Sequence, residues 1–131
     1  MFKFLRTPEF TDPEIGILKR VGKGMWHSST SEGDVSVTVE GDKDRPFPQS
    51  LEVARRLLRE GGYLISVAED FVMQDSQALE FIQANGKLMR DGFTVFESRE
   101  FAVEFTLTDW PDAMVTVLFK GDAPCEVQLA D

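Results

Sequence analysis

The chain has 131 residues, 42% of them hydrophobic, and carries a formal net charge of −9. This length is typical of one domain and allows a core large enough to fold without a disulfide or a metal ion. The acidic charge argues against nucleic-acid binding, which requires a cationic surface, and favours either a basic partner or solubility alone. We therefore expect a single domain over residues 1–131.

The first forty residues predict a loop and then three short strands. Two prolines and Gly16 make residues 7–16 a loop. The strands are expected at residues 15–22, 25–30 and 35–40, joined by glycine-containing turns at residues 22–24 and 31–34. Ile15, Ile17 and Val21 fall on one face of the first strand, with one lysine as the polar exception.

The hydrophobic period then changes from two to about three and a half, which predicts helices between residues 48 and 86. Gly61 and Gly62 are expected to end the first helix or to form a sharp corner. Asp75 or Ser76 would cap a separate second helix, and the Asn-Gly pair at residues 85–86 is a stop signal. The pattern leaves open whether there are two helices or three.

The period of two returns in the last third of the chain. After a linker at residues 87–92, strands are expected at residues 93–97, 101–107, 114–119 and 125–130. Residues 108–113 are expected to form the loop of a hairpin. Cys125 alternates with Val127 and Leu129, so it is expected in the core as a structural cysteine.

This order of elements predicts an α+β fold with the order βββ-αα-ββββ. An antiparallel sheet of about six or seven strands would carry the two or three helices on one face. The alternation of apolar and polar residues supports this arrangement, because strands buried on both faces would be apolar throughout. The side chains expected to be neighbours beneath the helices are Val35, Phe105, Val117 and Leu129.

His27 is the single histidine and follows Trp26 in the polar second strand. A hydrolytic triad would need a nucleophile and an acid that meet this histidine, and no G-x-S-x-G motif occurs in the chain. If Trp26 packs inward, alternation places His27 on the opposite, solvent side. We therefore expect a surface histidine and assign no catalytic residue.

The sequence offers no strong metal or cofactor motif. One histidine and one cysteine cannot build a zinc site without carboxylates, and residues 41–47 lack the ligand ladder of an EF-hand loop. The GKG segment at residues 22–24 is not a phosphate-binding loop. We therefore expect no specific metal site and no cofactor, with a weakly carboxylate-bound calcium or magnesium ion as the open alternative.

Two clusters of charged residues need an interpretation. Arg55, Arg56 and Arg59 are expected to pair with the surplus acids on a solvated helix face. The carboxylates that could share one solvent face are Glu97, Glu100 and Glu104. Two neighbouring carboxylates of this set would suit carboxylate-based chemistry such as glycoside hydrolysis. A chain with 23 acidic residues also produces such neighbours by chance.

Trp110 lies in the expected hairpin loop between Asp109 and Asp112. An aromatic anchor with acidic neighbours suits a binding surface for a basic protein. The alternative is that the ring folds back over the sheet edge. Asp109, Trp110 and Asp112 are therefore the candidate binding residues.

The segment TDPEIGILKRVGKGMW, residues 11–26, resembles the opening of a group of small uncharacterised bacterial domains of unknown function. Those domains begin with a D-x-x-x-G element, a strand pair and an aromatic residue, followed by helices and C-terminal strands. The resemblance implies an α+β architecture and a bacterial source, and it implies no activity.

Cysteine usage and hydropathy bear on the compartment. A single cysteine cannot form an internal disulfide. No continuous apolar stretch approaches the length of a membrane span or of the apolar part of a signal peptide. We expect a cytoplasmic protein without a membrane partner.

Three functional hypotheses follow from these patterns. The first is a protein-interaction module, immunity-like or adaptor-like, that binds a basic partner. The alternatives are a small carboxylate-based enzyme and a small-ligand-binding domain with a cavity between helices and sheet. A homodimer through a sheet face or edge is compatible with all three.

Overall fold

The computed structural model describes residues 7–28 and 35–131, which form eight strands and two helices. The strands lie in one sheet in chain order, and neighbouring strands are antiparallel except for the parallel pair β4–β5. The elements are β1 Glu9–Asp12, β2 Gly16–Val21, β3 Met25–Ser28, β4 Ser36–Glu40, α1 Pro48–Met73, α2 Ser76–Asn85, β5 Leu88–Val95, β6 Phe101–Leu107, β7 Trp110–Lys120 and β8 Ala123–Ala130.

The predicted α+β class is confirmed, but the strand number and order are different. Residues 7–28 and 35–131 contain eight strands in the order ββββ-αα-ββββ, not six or seven in the order βββ-αα-ββββ. The additional strand is β1, inside the segment predicted as a loop. Pro8 and Pro13 flank this edge strand and do not interrupt it, so it pairs with β2 from Glu9 to Asp12.

The parallel pair β4–β5 follows from the helices between its strands, because a parallel connection requires a long crossover. Most of the linker predicted at residues 87–92 belongs to β5. A β-bulge between Arg90 and Gly92 breaks the alternation there, which hides the strand from a period-two pattern. The turn predicted at residues 31–34, and the last two residues of the strand predicted at 25–30, lie outside the described residues.

The prediction that Gly61 and Gly62 end the first helix is wrong, because α1 continues through both to Met73. Gly61 is buried against β5, where a Cβ atom would lie 3.2 Å from Cζ of Phe93. This glycine therefore permits close helix–sheet packing and does not mark a stop. Among the described residues, neither helix combines the length and apolarity that a membrane span requires.

The described residues form two helices, and the predicted signals around the second one are confirmed. The Asp75 side chain accepts a 2.9 Å hydrogen bond from the Ala78 amide, which caps the start of α2. Gly86 follows the last residue of α2 with a φ of 104°, a conformation that favours glycine. The helix boundaries in this region were therefore readable from the sequence.

The core lies between the helices and one face of the sheet. Phe105 and Val117 are buried there as expected, Val35 is half-buried, and Leu129 on the last strand remains 38% exposed. In β2 the inward residue is Leu18, whereas Ile17 and Val21 are exposed on the other face. Of the two faces of β2, the one with more apolar residues is therefore exposed to solvent, and the alternation of the sequence alone does not show which face is buried.

Cys125 is exposed, which corrects the prediction that it belongs to the core. The register between β7 and β8 shifts between Leu118 and Phe119, so Cys125 falls out of the alternation that carries Val127. Its thiol lies 3.3 Å from the carbonyl oxygen of Leu118.

The sheet twists and curves around α1. Arg55 binds Asp12 in the first hairpin, while its neighbour Arg56 binds Asp122 in the last hairpin. In a flat sheet with about 4.8 Å between strands, the two outer strands would lie too far apart for adjacent arginines to reach both. One helix therefore joins the two edges of the sheet.

The sheet face turned away from α1 and α2 is called the open face. One cross-strand row runs over it through all eight strands, because each residue is the register partner of the next. The row consists of Glu9, Lys19, His27, Thr38, Thr94, Ala102, Leu118 and Glu126.

Candidate functional site

In the part of the chain that the structure describes, we consider two charged surface regions: the connection between β6 and β7, and the centre of the open face. The first contains the predicted binding residues Asp109, Trp110 and Asp112, and is called the acidic turn. Its backbone is tied to the segment after α2, since the Asp109 amide donates to the Asn85 carbonyl at 3.0 Å. The Thr108 amide likewise donates to the Lys87 carbonyl at 3.0 Å.

Trp110 does not stand at the tip of a loop. It begins β7 and pairs with Leu107, so the hairpin turn is shorter than the predicted loop at residues 108–113. The ring is half-buried and lies against Phe81 of α2, with 5.9 Å between ring centroids and 42° between planes. The indole therefore folds back toward α2 and still presents part of its surface.

Asp109 and Asp112 are both exposed at the acidic turn. Among the described residues, the one hydrogen bond that the Asp109 carboxylate accepts is a long one of 3.4 Å, from the hydroxyl of Thr108. Within residues 7–28 and 35–131, neither carboxylate forms an ion pair with a basic side chain. The turn therefore offers two carboxylates whose charge is not neutralised by a described neighbour.

The arginines of α1 behave differently, and the predicted pairing with acids is confirmed. Three pairs join them to the first and last hairpins, Arg55–Asp12, Arg56–Asp122 and Arg59–Glu14, and Arg56 also lies 4.0 Å from Glu60 one turn along α1. These three arginines are thus used in internal pairs, whereas Asp109 and Asp112 have no ionic partner among the described residues.

The open face carries the second cluster. His27 is half-buried there because Trp26, its neighbour in β3, is fully buried on the helix side. The His27 Nδ1 atom lies 2.9 Å from the Thr38 hydroxyl on the adjacent strand. The histidine therefore lies on the predicted side of the sheet, held by a cross-strand hydrogen bond.

Glu104 lies next to this pair, at the centre of β6. Its carboxylate accepts a 2.7 Å hydrogen bond from the Thr94 hydroxyl of β5. Burial raises the pKa of Glu104 above its usual value, although the Thr94 hydrogen bond opposes the shift. The negative charge of Asp91 adds to the increase in this pKa, and the proximity of His27 reduces it.

The β-bulge in β5 explains why Asp91 is near Glu104. Gly92 is the register partner of Glu104, and Asp91 is the extra residue that the bulge inserts before it. A side chain on Gly92 would collide with the Ser36 carbonyl oxygen of β4, so the bulge requires glycine there. The sequence grouped Glu104 with Glu97 and Glu100, but these two lie exposed in the connection between β5 and β6, and the carboxylate that acts on Glu104 is Asp91.

The cavity that the small-ligand hypothesis expects between helices and sheet is small. An apolar hollow of about 180 Å³ lies between α1 and β5, with Leu58, Ile65 and Phe93 in its lining. Ligand pockets are usually larger, about 300 Å³ or more. In the same described ranges, no three His, Cys, Asp or Glu side chains come together in a group able to hold a metal ion.

Comparison with known protein families, with curated proteins and with solved structures found no match. The resemblance of residues 11–26 to small bacterial domains therefore stays a prediction, as does the bacterial source that it implies. The function is accordingly inferred from the acidic turn and the open face themselves.

Proposed function

We propose that this chain is a protein-interaction module that binds a basic partner, with Asp109, Trp110 and Asp112 among its contacts. The observation that carries the proposal is a half-buried tryptophan flanked by two exposed carboxylates that have no described ionic partner. Tryptophan is enriched among the residues that dominate binding energy at protein interfaces.

The rigidity of the acidic turn supports a binding role. Backbone hydrogen bonds from Thr108 and Asp109 to the segment after α2 fix its conformation. Gly86 makes this contact close, because a side chain there would collide with the Thr108 hydroxyl. A surface ordered before binding loses less conformational entropy when the partner docks.

The net charge of −9 supports a partner of opposite charge. Complementary charge accelerates encounter and makes association dependent on ionic strength. An immunity-like or adaptor-like protein would use fast, charge-driven association with a basic partner, and the proposal includes both roles. A homodimer through the open face or a sheet edge is compatible with it.

The proposal is tested by capture of partners from the native cell with the wild-type chain and a Trp110→Ala variant as matched baits. Quantitative mass spectrometry then compares what each bait retains. We expect a basic protein that the wild type retains and the variant loses, with release at high salt. Retention of the same proteins by both baits would contradict the role of Trp110.

A control variant separates binding from folding. Phe81→Leu removes the ring contact with Trp110 but leaves the tryptophan and both carboxylates in place. We expect this variant to retain the partner, whereas Asp109→Asn combined with Asp112→Asn should weaken retention without changing the thermal unfolding temperature appreciably.

One observation favours a second candidate, a small carboxylate-based enzyme. The half-buried Glu104, its raised pKa and the nearby Asp91 and His27 are features that catalytic sites share. If the chain is such an enzyme, Glu104→Gln abolishes a measured hydrolytic activity while Trp110→Ala leaves it intact. Partner retention that Trp110→Ala loses, without any hydrolytic activity that depends on Glu104, supports the interaction module.

A further inference from the structure

The open face is a second surface to be explained. Both helices pack on the other face, and no described element covers the open face. Its charged residues are mostly acidic. The described strand residues with a charge on this face are Glu9, Lys19, Glu40, Asp91, Glu104, Lys120 and Glu126, and His27 lies among them.

We infer that the open face over β5, β6 and β7 docks an extended basic segment of the partner, with an arginine or lysine side chain placed between Asp91 and Glu104. This inference rests on the proposed function, since it names the part of a basic partner that binds and the surface that receives it.

Charge complementarity is the first argument. The Glu104 carboxylate is half-buried, and among its charged neighbours Asp91 opposes its ionisation. A cationic side chain from a partner would bind both carboxylates and offset their mutual repulsion. A neutral or acidic segment would leave this repulsion in place.

The side chains next to Glu104 provide the second argument. Thr106 follows on the same face, between its register partners Met89 on β5 and Met114 on β7. Met89 is 50% exposed, and methionine adapts its shape to different apolar groups. The aliphatic stem of an arginine or lysine would pack on these methionines while its charge reaches Glu104.

Continuity with the acidic turn is the third argument. After Thr106, β6 ends at Leu107, and the exposed residues Thr108 and Asp109 form the turn to β7. Trp110 pairs with the buried Leu107 and packs against Phe81, so its ring lies on the helix side of the sheet. A segment that lies along β6 from Glu104 past Thr106 would therefore arrive at Asp109 and Asp112. The exposed carboxylates of the acidic turn therefore lie at the end of the open face and extend its acidic surface.

The test uses the whole chain, labelled with ¹⁵N, and two capped synthetic pentapeptides of sequence LRLKL and LQLQL. We expect saturable shifts of the Met89, Glu104 and Thr106 amides with LRLKL and much smaller shifts with LQLQL. Glu104→Gln should weaken LRLKL binding at least fivefold. Shifts confined to other surfaces, or absent, would overturn the inference.

Two further variants keep the test specific. Glu126→Gln removes the same charge from the open face but lies on the edge strand β8, so its effect should stay below twofold. Met89→Ser changes an exposed side chain, so the fold should be retained, and it should weaken binding at least threefold. Equal losses for Glu104→Gln and Glu126→Gln would show unspecific charge attraction and overturn the inference.

Two outcomes assign the surface differently. If the same amides shift with protein concentration alone, the occupant is a second copy of this chain and the inference is wrong. If LRLKL shifts only Asp109 and Trp110, the interaction module of the proposed function stands while the open-face docking fails. Failure of the proposed function itself is judged separately, by the capture experiment with the Trp110→Ala bait.

Discussion

Arg55 of α1 donates two hydrogen bonds to one carboxylate oxygen of Asp12, while the other oxygen accepts hydrogen bonds from the amides of Glu14 and Ile15. Asp12 is buried, and its partner Arg55 is partly exposed. This contact ties the first hairpin to the helix that crosses the sheet. Among the polar contacts of the described residues, we expect it to contribute most to holding the β1–β2 edge of the sheet against α1.

Asp12→Ala should reduce the free energy of unfolding by about 2–3 kcal/mol, because several hydrogen bonds to a charged group are lost together. Urea unfolding at neutral pH measures this loss. Asp44→Ala is the matched control, since Asp44 is exposed, and we expect a change within about 0.5 kcal/mol. Equal effects for the two variants would contradict a structural role for Asp12.

The same residue predicts how stability depends on acid. Burial opposes ionisation of Asp12, but the hydrogen bonds from Arg55 and from two amides outweigh it and lower its pKa below the usual 3.8. The ionised form is therefore favoured by folding, and its stabilising contribution is present above pH 3.8. The difference in stability between the wild type and Asp12→Asn should shrink as the pH falls through the lowered pKa.

Glu104 predicts the opposite dependence. Burial raises its pKa above 4.5, so folding favours the protonated form and the ionised form costs stability. Relative to Glu104→Gln, the wild type should lose stability as the pH rises through the raised pKa. Thermal unfolding of both proteins between acidic and neutral pH tests this, and a constant difference would contradict the assignment.

Gly61 and Gly62 form a matched pair within α1. A methyl group added to Gly62 would meet no other atom within 4 Å, so Gly62→Ala should stabilise the helix by about 0.5–1 kcal/mol. At Gly61 the added methyl would press on the Phe93 ring at 3.2 Å, so Gly61→Ala should gain less or destabilise. Denaturant midpoints of the two variants provide the comparison, and equal gains would show that Gly61 does not pack closely.

Gly92→Ala tests the β-bulge that brings Asp91 to the open face. The added Cβ would collide with the Ser36 carbonyl oxygen in the parallel pair β4–β5. We expect a loss of about 1–3 kcal/mol in the free energy of unfolding, as in other overpacked sites. Amide shifts of Asp91 and Glu104 should change in the variant, and unchanged shifts would mean that the bulge does not depend on this glycine.

Much of the fold could be predicted from hydrophobic periodicity. Residues 101–107 alternate cleanly and form β6 as expected, and the Asp75 cap and the Asn85–Gly86 stop mark the ends of α2. These signals are local, because the residues that determine each element lie within the element or directly beside it. The prediction failed where the cause lies elsewhere in the chain, as at Gly61, whose role is set by Phe93 on β5.

The candidate site was only partly readable for the same reason. The acidic turn was visible because Asp109, Trp110 and Asp112 are close in sequence, although the contact of Trp110 with Phe81 was not. Glu104 and Asp91 meet through a register shift between two strands. The one local signal of this β-bulge was the Asp-Gly pair at residues 91–92, and such a pair is also typical of a linker.

The most direct test of the interaction module is the affinity of the purified basic partner for the wild type and for Trp110→Ala, measured by calorimetry at low and high salt. Loss of an anchoring tryptophan should reduce the binding free energy by about 2 kcal/mol, which raises the dissociation constant roughly 30-fold. The wild-type affinity should also fall as salt rises. An affinity that neither the substitution nor the salt changes would contradict the account.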